Sequence, residues 1–267
     1  MAHHASVRRL RGLPHPLLRS AVPAGYGAVT ATPERHSVVL PATPAVPLVV
    51  KLADSAYRPP QFVMGAHGVV RRPEGACAPR YLELWLAPVR AYTVLGLPLD
   101  RLGGETVDLL DVLGAPGRRL GDRLRDATTW PRRWTLLDDF LLDRLRAGPS
   151  PAPEVRHAWR RLAESGGTVA IGTLVREVGW SHKRLISRFR QQVGLPPKRA
   201  AALLRFEAVL RRIDRDANPG WGRLAVESGY ADQSHLIRDF RRFSGTTPTG
   251  GLTRSHELVS HPAVWAR

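Results

Sequence analysis

The sequence predicts an α+β protein in which a β-rich N-terminal domain with appended helices is followed by an all-α C-terminal domain. Three observations support this prediction. Prolines recur throughout residues 14–98, apolar residues take helical spacing after Leu99, and an internal repeat occupies residues 171–248. The repeat predicts two helix-turn-helix units joined by a linker helix. We therefore expect a first domain at 1–148, a linker at 149–153 and a second domain at 154–267.

Short apolar or alternating runs separate the prolines of the N-terminal region. Proline fixes the backbone and removes an amide donor, so long helices are excluded there. Short runs with turn residues between them are typical of a small antiparallel sandwich or barrel. The predicted strands are Gly27–Thr32, Ser37–Leu40, Val46–Leu52, Phe62–Met64, Gly68–Arg71 and Tyr81–Leu86.

From Leu99 onward, apolar residues recur at intervals of three and four. This spacing predicts short packed helices over Val107–Leu113, Arg118–Ala127 and Leu136–Leu145. The segment Gly148–Pro153 that follows is rich in proline and cannot continue a helix, so we expect it to be a linker.

The chain is strongly basic, with 40 Lys and Arg against 23 Asp and Glu, a net charge of +17. Residues 154–267 contribute 20 basic and 10 acidic side chains, a net +10. Such an excess favours a polyanionic partner, either nucleic acid or an anionic membrane surface. The arginine-rich, lysine-poor usage is also typical of a GC-rich genome, which offers a second explanation for the excess in the N-terminal region.

A single cysteine, Cys77, excludes an internal disulfide and a thiolate-rich zinc site. The sequence holds no run of 18 apolar residues, and its N-terminus lacks an uninterrupted apolar segment. We therefore expect neither secretion nor a membrane span. These features predict a cytoplasmic protein with no membrane partner, no metal and no cofactor.

The two copies of the repeat span residues 171–197 and 221–248, with one residue inserted in the turn of the second copy. Self-similarity at this level predicts that both copies fold alike. The matched pairs are Leu174 with Leu224, Gly179 with Gly229, Trp180 with Tyr230, Leu185 with Leu236, Phe189 with Phe240, Gly194 with Gly245 and Pro197 with Pro248.

Each copy has the pattern of a helix-turn-helix. A short helix ends at a glycine, Gly179 in the first copy, which adopts positive φ at low cost. Ser181 or Asp232 lies near the next helix start, where its side-chain oxygen can accept from a free amide. The second helix then buries a leucine and a phenylalanine four residues apart. Between the copies, Lys198–Ile213 predicts an amphipathic helix about 24 Å long.

The face of each second helix that points away from its buried leucine is polar and basic. At about 100° per residue, the first face consists of Lys183, Ser187 and Arg190, with Arg184 beside them. The second consists of Ser234, Arg238 and Arg241, flanked by His235, with Gln233 at the helix start. Such side chains can donate to guanine or phosphate, and glutamine can read adenine, from within a major groove. A single charged face is usually only solvated, but two in matching frames favour DNA binding.

These residues resemble the AraC/XylS family of bacterial transcription regulators, over about residues 155–255. The segment Thr249–Arg254 departs from the family pattern, which usually has an aromatic residue and an arginine after the final proline. The resemblance is carried by the linker-helix segment Leu204–Leu210 and by Ala225, Gly229, Tyr230, Asp232, Gln233, Ser234, His235, Leu236, Phe240, Arg241, Gly245, Thr246, Thr247 and Pro248.

The resemblance implies a sequence-specific regulator that reads two adjacent major-groove segments, with some DNA bending. A cupin-like sensor domain with appended helices is implied at the N-terminus. Double-stranded DNA, RNA polymerase, a small-molecule effector and a homodimer are the implied partners. Ile186, where the family often has a polar residue, offers an apolar contact, for example to a thymine methyl group. The implied base-reading positions are Lys183, Ser187, Gln233, Ser234 and Arg238.

Three rival functions are open at this stage. An architectural or weakly specific nucleic-acid-binding protein would exploit the charge alone. An enzyme is disfavoured, because no nucleophile motif, phosphate loop or dinucleotide fingerprint occurs and His36 and His67 lack the spacing of a metal site. The N-terminal domain could instead bind a protein or only dimerise. Its aromatic residues either line a pocket or pack in the core; they are Trp85, Tyr92, Trp130 and Trp134.

Overall fold

The computed structural model describes residues 8–30, 42–53, 59–68, 80–213 and 220–248. The predicted strand Ser37–Leu40, most of the predicted strand Gly68–Arg71, His36, Cys77 and the segment Thr249–Arg254 lie outside these residues. The chain divides into two compact units. The first comprises Met1–Val38, Ala45–Gly65 and Pro73–Ser150, and the second comprises Val39–Pro44, Ala66–Arg72 and Pro151–Arg267. The predicted α+β fold class is confirmed.

The described residues of the first unit form a six-stranded antiparallel sheet in the order β1-β2-β5-β3-β4-β6. The prediction places β2 to β5 within two residues of their observed bounds. It left a sandwich and a barrel open, and the described strands form one sheet. The strands are β1 (Arg8–Gly12), β2 (Tyr26–Thr30), β3 (Val46–Lys51), β4 (Gln61–Met64), β5 (Arg80–Leu86) and β6 (Thr106–Asp108).

Several elements of the first unit differ from the prediction, among them the helix Trp130–Ala147, which begins six residues before the predicted Leu136 because Thr129 caps it. The sequence does not predict β1 because its side chains are mostly exposed arginines, and only its pairing with β2 defines it. β6 occupies the start of the predicted helix Val107–Leu113, which begins only at Leu109 because Asp108 caps it. Helix α1 (Pro88–Leu95) lies among the prolines, because Pro88 fits the first helical position, where no amide donor is needed.

The core of the first unit lies between one face of this sheet and four helices. Alternate residues of β5 (Leu82, Leu84 and Leu86) join the buried cluster. On α4, Arg144 Nε donates to a carbonyl at the end of α1 at 2.7 Å, and Arg133 Nε donates to one at the end of α3 at 2.9 Å. These bonds satisfy carbonyls that a helix end leaves free. The helices are α1, α2 (Leu109–Leu113), α3 (Ala115–Asp126) and α4 (Trp130–Ala147).

The described residues of the second unit form six helices, five of which make up the two predicted helix-turn-helix units and their connection. α6 and α7 form the first helix-turn-helix, α9 and α10 form the second, and α8 joins them, beginning one residue before the predicted linker helix. The expected double unit is therefore present. The helices are α5 (Pro153–Glu164), α6 (Ile171–Val178), α7 (His182–Val193), α8 (Pro197–Ile213), α9 (Trp221–Glu227) and α10 (Gln233–Ser244).

Helix α8 supplies part of the core of the second helix-turn-helix. The ring centroid of Phe206 lies 5.4 Å from that of Phe240 and 5.3 Å from that of Phe243. The same unit includes an isolated β-bridge between Thr43 and His67, so His67 is held in a backbone pairing. Among the described helices, none combines the length and the apolar character that a membrane span requires.

Candidate nucleic-acid interface

Glycines and polar caps define the turns that precede α7 and α10. Gly179 has a φ of 70°, and Gly229 occupies the equivalent turn with a φ of 76°. Ser181 Oγ and Asp232 Oδ1 each accept from the backbone amide three residues later, at 3.3 Å and 2.7 Å. The predicted left-handed glycines and N-caps are therefore present in both units.

Helix α7 buries its leucine and phenylalanine and exposes the opposite side. Leu185 and Phe189 are fully buried, and the Phe189 ring centroid lies 6.4 Å from that of Trp159 on α5. All four predicted contact residues of this helix are exposed, and we call them the α7 face: Lys183, Arg184, Ser187 and Arg190.

Helix α10 follows the same plan. Leu236, Phe240 and Phe243 are buried, and the predicted contact residues lie on the remaining surface of the helix. His235 is half-buried, and the other four are exposed. We call the five the α10 face: Gln233, Ser234, His235, Arg238 and Arg241.

Arg184 and His235 occupy equivalent positions, and both fold back onto the turn before their helix. The guanidinium carbon of Arg184 lies 4.5 Å from the ring centroid of Trp180. The ring of His235 meets that of Tyr230 edge-on, with centroids 5.1 Å apart. Both side chains therefore stabilise a turn while they border the exposed faces.

The predicted set omits Arg242, which is exposed on α10. At about 100° per residue it lies about 120° from Leu236 around the helix, farther than Gln233, which lies about 60° away. Applying the same helical geometry to every residue of α10 would have included it. On α7, the side chain of Ile186 is 42% exposed, which leaves it available for the apolar contact expected from the sequence.

An ion-pair cluster holds α6 against α5. Glu177 accepts from Arg161 Nη2 at 3.0 Å and from Arg161 Nε at 3.1 Å, and His157 Nε2 lies 2.7 Å from its carboxylate. The hydrogen bond from Arg161 and then that from His157 lower the pKa of Glu177 to about 2. The carboxylate is therefore ionised at neutral pH and anchors the first helix of its unit.

Glu227, the equivalent residue of the second helix-turn-helix, is held in a similar way. Arg223 donates to it at 2.6 Å, and Arg212 Nε of α8 lies 4.0 Å from its carboxylate. Arg212 also donates to the Glu227 carbonyl oxygen at 3.3 Å. The hydrogen bond from Arg223 is the largest cause that lowers the pKa of Glu227. In both units, an arginine of a supporting helix therefore holds the end of the first helix.

Three of the four aromatic residues named in the sequence analysis pack against the core of the first compact unit, whereas Trp85 alternates with the core leucines of β5 and lies on the opposite face of the sheet. Trp85 is 6% exposed, and Trp134 stacks on Tyr26 and on Trp130 with centroids 5.5 Å and 5.4 Å away. Trp130, Trp134 and Tyr92 pack against the buried cluster, which favours the core interpretation over a pocket lined by all four residues. Within the described ranges, no group of three or more His, Cys, Asp or Glu is placed to hold a metal ion.

Residues 174–253 match a family model described as a helix-turn-helix domain, which is of the AraC type. No curated protein matches the chain. The chain is similar to ToxT from Vibrio cholerae O395, with 8% identity over 97% of this chain and 98% of ToxT and a TM-score of 0.40. Wild-type ToxT from strain SCE256, solved with an unsaturated fatty acid bound, is similar at 10% identity over 93% of this chain and 94% of ToxT, with a TM-score of 0.41. The family-model match by itself gives the chain an AraC-type helix-turn-helix domain, and with it the role of a DNA-binding transcription regulator.

Proposed function

We propose that this regulator binds one specific bipartite DNA site, with α7 and α10 each entering one of two adjacent major-groove segments. The observation that supports this is the matched frame of the two helices, which bury the same leucine and phenylalanine positions and expose hydrogen-bond donors opposite. The connecting helix α8 has 17 residues and a length of about 25 Å. With its flanking turns, a helix of this length suits recognition helices about 34 Å apart, one turn of DNA.

The side chains of the two faces divide into two chemical roles. An arginine such as Arg238 can donate two bonds to guanine O6 and N7, and Gln233 can pair with adenine N6 and N7. Contacts to phosphate position the protein without reading sequence. We assign base reading to Lys183, Ser187, Gln233, Ser234 and Arg238. We assign phosphate contacts to Arg184, Arg190, His235 and Arg241.

The test compares the full-length protein on its own upstream DNA and on a shuffled duplex of the same composition, at physiological salt. We expect a preference above about a thousandfold and two footprinted patches one helical turn apart. Equal affinity for the two duplexes, with a steep salt dependence, would overturn the proposal and favour the architectural or weakly specific binder.

We also propose that an effector or partner acts at the first compact unit, which contains the sheet, and modulates DNA binding. Support comes from the face of the sheet opposite the core, where Lys51 lies opposite Tyr81 and Val49 lies opposite Glu83 in the strand register. Lys51 is 6% exposed. Burial raises the pKa of Glu83, and the charges of the arginines on β1 act in the other direction. Ionisable groups on a largely buried face are typical of a polar binding site.

Thermal denaturation of the full-length protein with a panel of small carboxylic acids and amines tests this role. We expect a ligand that raises the Tm and changes the affinity for the upstream DNA, and we expect Glu83→Gln to weaken both effects. Ligands that raise the Tm of the chain but leave DNA affinity unchanged would contradict an effector role.

The proposed regulator acts in the cytoplasm on nucleoid DNA, as a homodimer that contacts RNA polymerase, and without catalytic activity. The cytoplasmic location and the contact with the polymerase follow from the DNA ligand, since the regulator binds and the polymerase transcribes the same duplex. Sedimentation velocity of the full-length protein tests the dimer. We expect a species of twice the monomer mass, and a monomer at every concentration and on DNA would exclude it.

A further inference from the structure

Gly179 and Gly229 occupy the same position in the two helix-turn-helix units, and both are left-handed, but their surroundings differ. A Cβ placed on Gly179 would meet no heavy atom within 4 Å. A Cβ placed on Gly229 would lie 2.5 Å from Thr168 Cγ2 and 3.2 Å from Arg205 Cδ. Since Thr168 lies just before α6, the turn of the second unit packs directly against the entrance to the first.

The loop before α6 also packs against α8. A Cβ on Gly167 would overlap the carbonyl oxygen of Ala201 on α8. One helical turn further along, Arg205 Nη1 donates to the Gly167 carbonyl oxygen at 2.8 Å. This bond pairs a loop carbonyl with a side chain of the linker helix, so the loop and the helix are held together.

Arg205 contacts the second helix-turn-helix as well as the loop that leads into the first. Its guanidinium carbon lies 5.4 Å from the ring centroid of Tyr230, a residue that is only 4% exposed. A cation over the face of a desolvated tyrosine ring is attracted to it. One side chain of α8 therefore bridges the loop that leads into the first unit and the turn of the second.

We propose that Gly167, Thr168, Arg205, Gly229 and Tyr230 form a junction that fixes the distance and orientation between α7 and α10. The assignment rests on the proposed function, because the junction gives bipartite reading a single allowed spacing. Helix α8 packs against the core of the second helix-turn-helix through Phe206. The junction adds direct contact between the two helix-turn-helix units, so the protein accepts two half-sites only at one separation.

A measurement without DNA tests the junction first. Spin labels on Arg188→Cys and Arg242→Cys, in the full chain with Cys77→Ser, report the distance between α7 and α10. We expect one narrow distribution for this chain and for its Gly179→Ala variant, and a broader or shifted one for Gly229→Ala. Both substitutions force alanine into the same left-handed conformation, so the difference between them isolates the contact with Thr168.

Two further variants keep this test decisive. Thr168→Ser removes the Cγ2 atom and retains the hydroxyl, which donates to the Ser165 carbonyl oxygen at 2.8 Å. Combined with Gly229→Ala, it is expected to restore the narrow distribution. Arg205→Met removes the guanidinium and is expected to broaden the distribution even if Gly229→Ala does not fold. The same narrow distribution in Arg205→Met and in every Gly229 variant that folds would overturn the junction.

A second test uses the footprinted upstream duplex with one base pair inserted between the half-sites, which rotates one of them by about a tenth of a turn. We expect this insertion to cost the unsubstituted protein about tenfold or more in affinity, because simultaneous engagement is lost. Arg205→Met is expected to lose less than about threefold and to bind a single half-site as before. An equal spacing penalty in both proteins would contradict the junction. If the unsubstituted protein fails to prefer its upstream DNA, the proposed function fails instead, and the label distances still decide the junction.

Discussion

The two helix-turn-helix units have the same frame but differ in how their turn aromatic is held. Trp180 is half-buried and is covered by Arg184 of its own unit. Tyr230 is 4% exposed and contacts both His235 of its own unit and Arg205 of the linker helix. Trp180 is therefore held by a side chain of its own helix-turn-helix, whereas Tyr230 is held in part by a helix outside its own.

The helices that pack behind the two helix-turn-helix units also differ, because only the one behind the second is the linker helix. Behind the first unit, Trp159 of α5 packs on Phe189. Behind the second, Phe206 of α8 packs on Phe240 and Phe243. An internal repeat therefore predicts two copies of a local fold, but it does not predict that α8 both connects the copies and completes the core of one of them.

The largest expected effect comes from removing a buried ring in either unit. Phe189→Ala and Phe240→Ala should each destabilise the protein by about 3–5 kcal/mol, since both rings are buried. Urea unfolding of the full-length protein measures this loss. Amide exchange should show that both variants lower protection throughout α5 to α10, because α8 and the junction couple the two cores. Loss confined to the substituted unit would show that the copies unfold independently.

The next effect compares the two recognition helices. Arg238 and Ser187 are equivalent positions, two residues after the buried leucine, but only arginine can pair bidentately with guanine. Arg238→Ala should cost about 1–3 kcal/mol of specific binding and relax base choice, while Ser187→Ala should cost less. Binding to the upstream and shuffled duplexes measures both.

Arg160→Ala is the matched control for charge, since Arg160 is exposed on α5 and belongs to neither face. Its Nε lies 3.9 Å from the Glu164 carboxylate and its Nη2 lies 3.3 Å from His157 Nδ1. If Arg160→Ala and Arg238→Ala weaken binding to both duplexes to the same extent, Arg238 contributes charge alone and does not read a base.

A smaller effect is expected at the helix caps. Asp232 accepts a hydrogen bond from a backbone amide at 2.7 Å, and Ser181 accepts one at 3.3 Å. A carboxylate also interacts favourably with the positive end of a helix. Replacement of a cap by alanine costs about 0.5–2 kcal/mol, and we expect Asp232→Ala to lie toward the upper end and Ser181→Ala toward the lower. Thermal unfolding measures both. An Asp232→Asn variant that is as unstable as Asp232→Ala would contradict the role of the capping hydrogen bond.

The smallest effect concerns pH. Because hydrogen bonds lower the pKa of Glu177 to about 2, its stabilising contribution is fully present above its unfolded pKa of about 4.3. The contribution is lost as the pH falls through the folded pKa. We expect the urea midpoint of Glu177→Gln to lie below that of the unsubstituted chain at pH 6, and the difference to shrink as the pH falls from about 4 to about 2. A difference that stays constant from about pH 6 to about pH 2 would show that the ion pairs contribute nothing to the pH dependence of stability. Glu227→Gln, whose pKa is also lowered, should behave in the same direction.

The sequence by itself determined the local structure of this protein and the direction in which its helical side chains point. The positive φ of Gly179 and Gly229 and the caps Ser181 and Asp232 depend on neighbours within a few residues. The four-residue spacing of leucine and phenylalanine sets which side of each helix is buried. Their pattern therefore specified both turns and both exposed faces. The strands β2 to β5 followed from alternation and proline for the same reason, because pattern and punctuation are local signals.

Only the tertiary structure decided what lies opposite each of these residues. Strand β1 exists because β2 pairs with its arginine-rich backbone, and Gly229 differs from Gly179 because Thr168 and Arg205 lie against it. Arg205 points toward Gly167, which lies 38 residues away in the chain. Periodicity fixes the orientation of a side chain about its own helix, whereas its partner depends on how distant segments pack, which a local pattern does not encode.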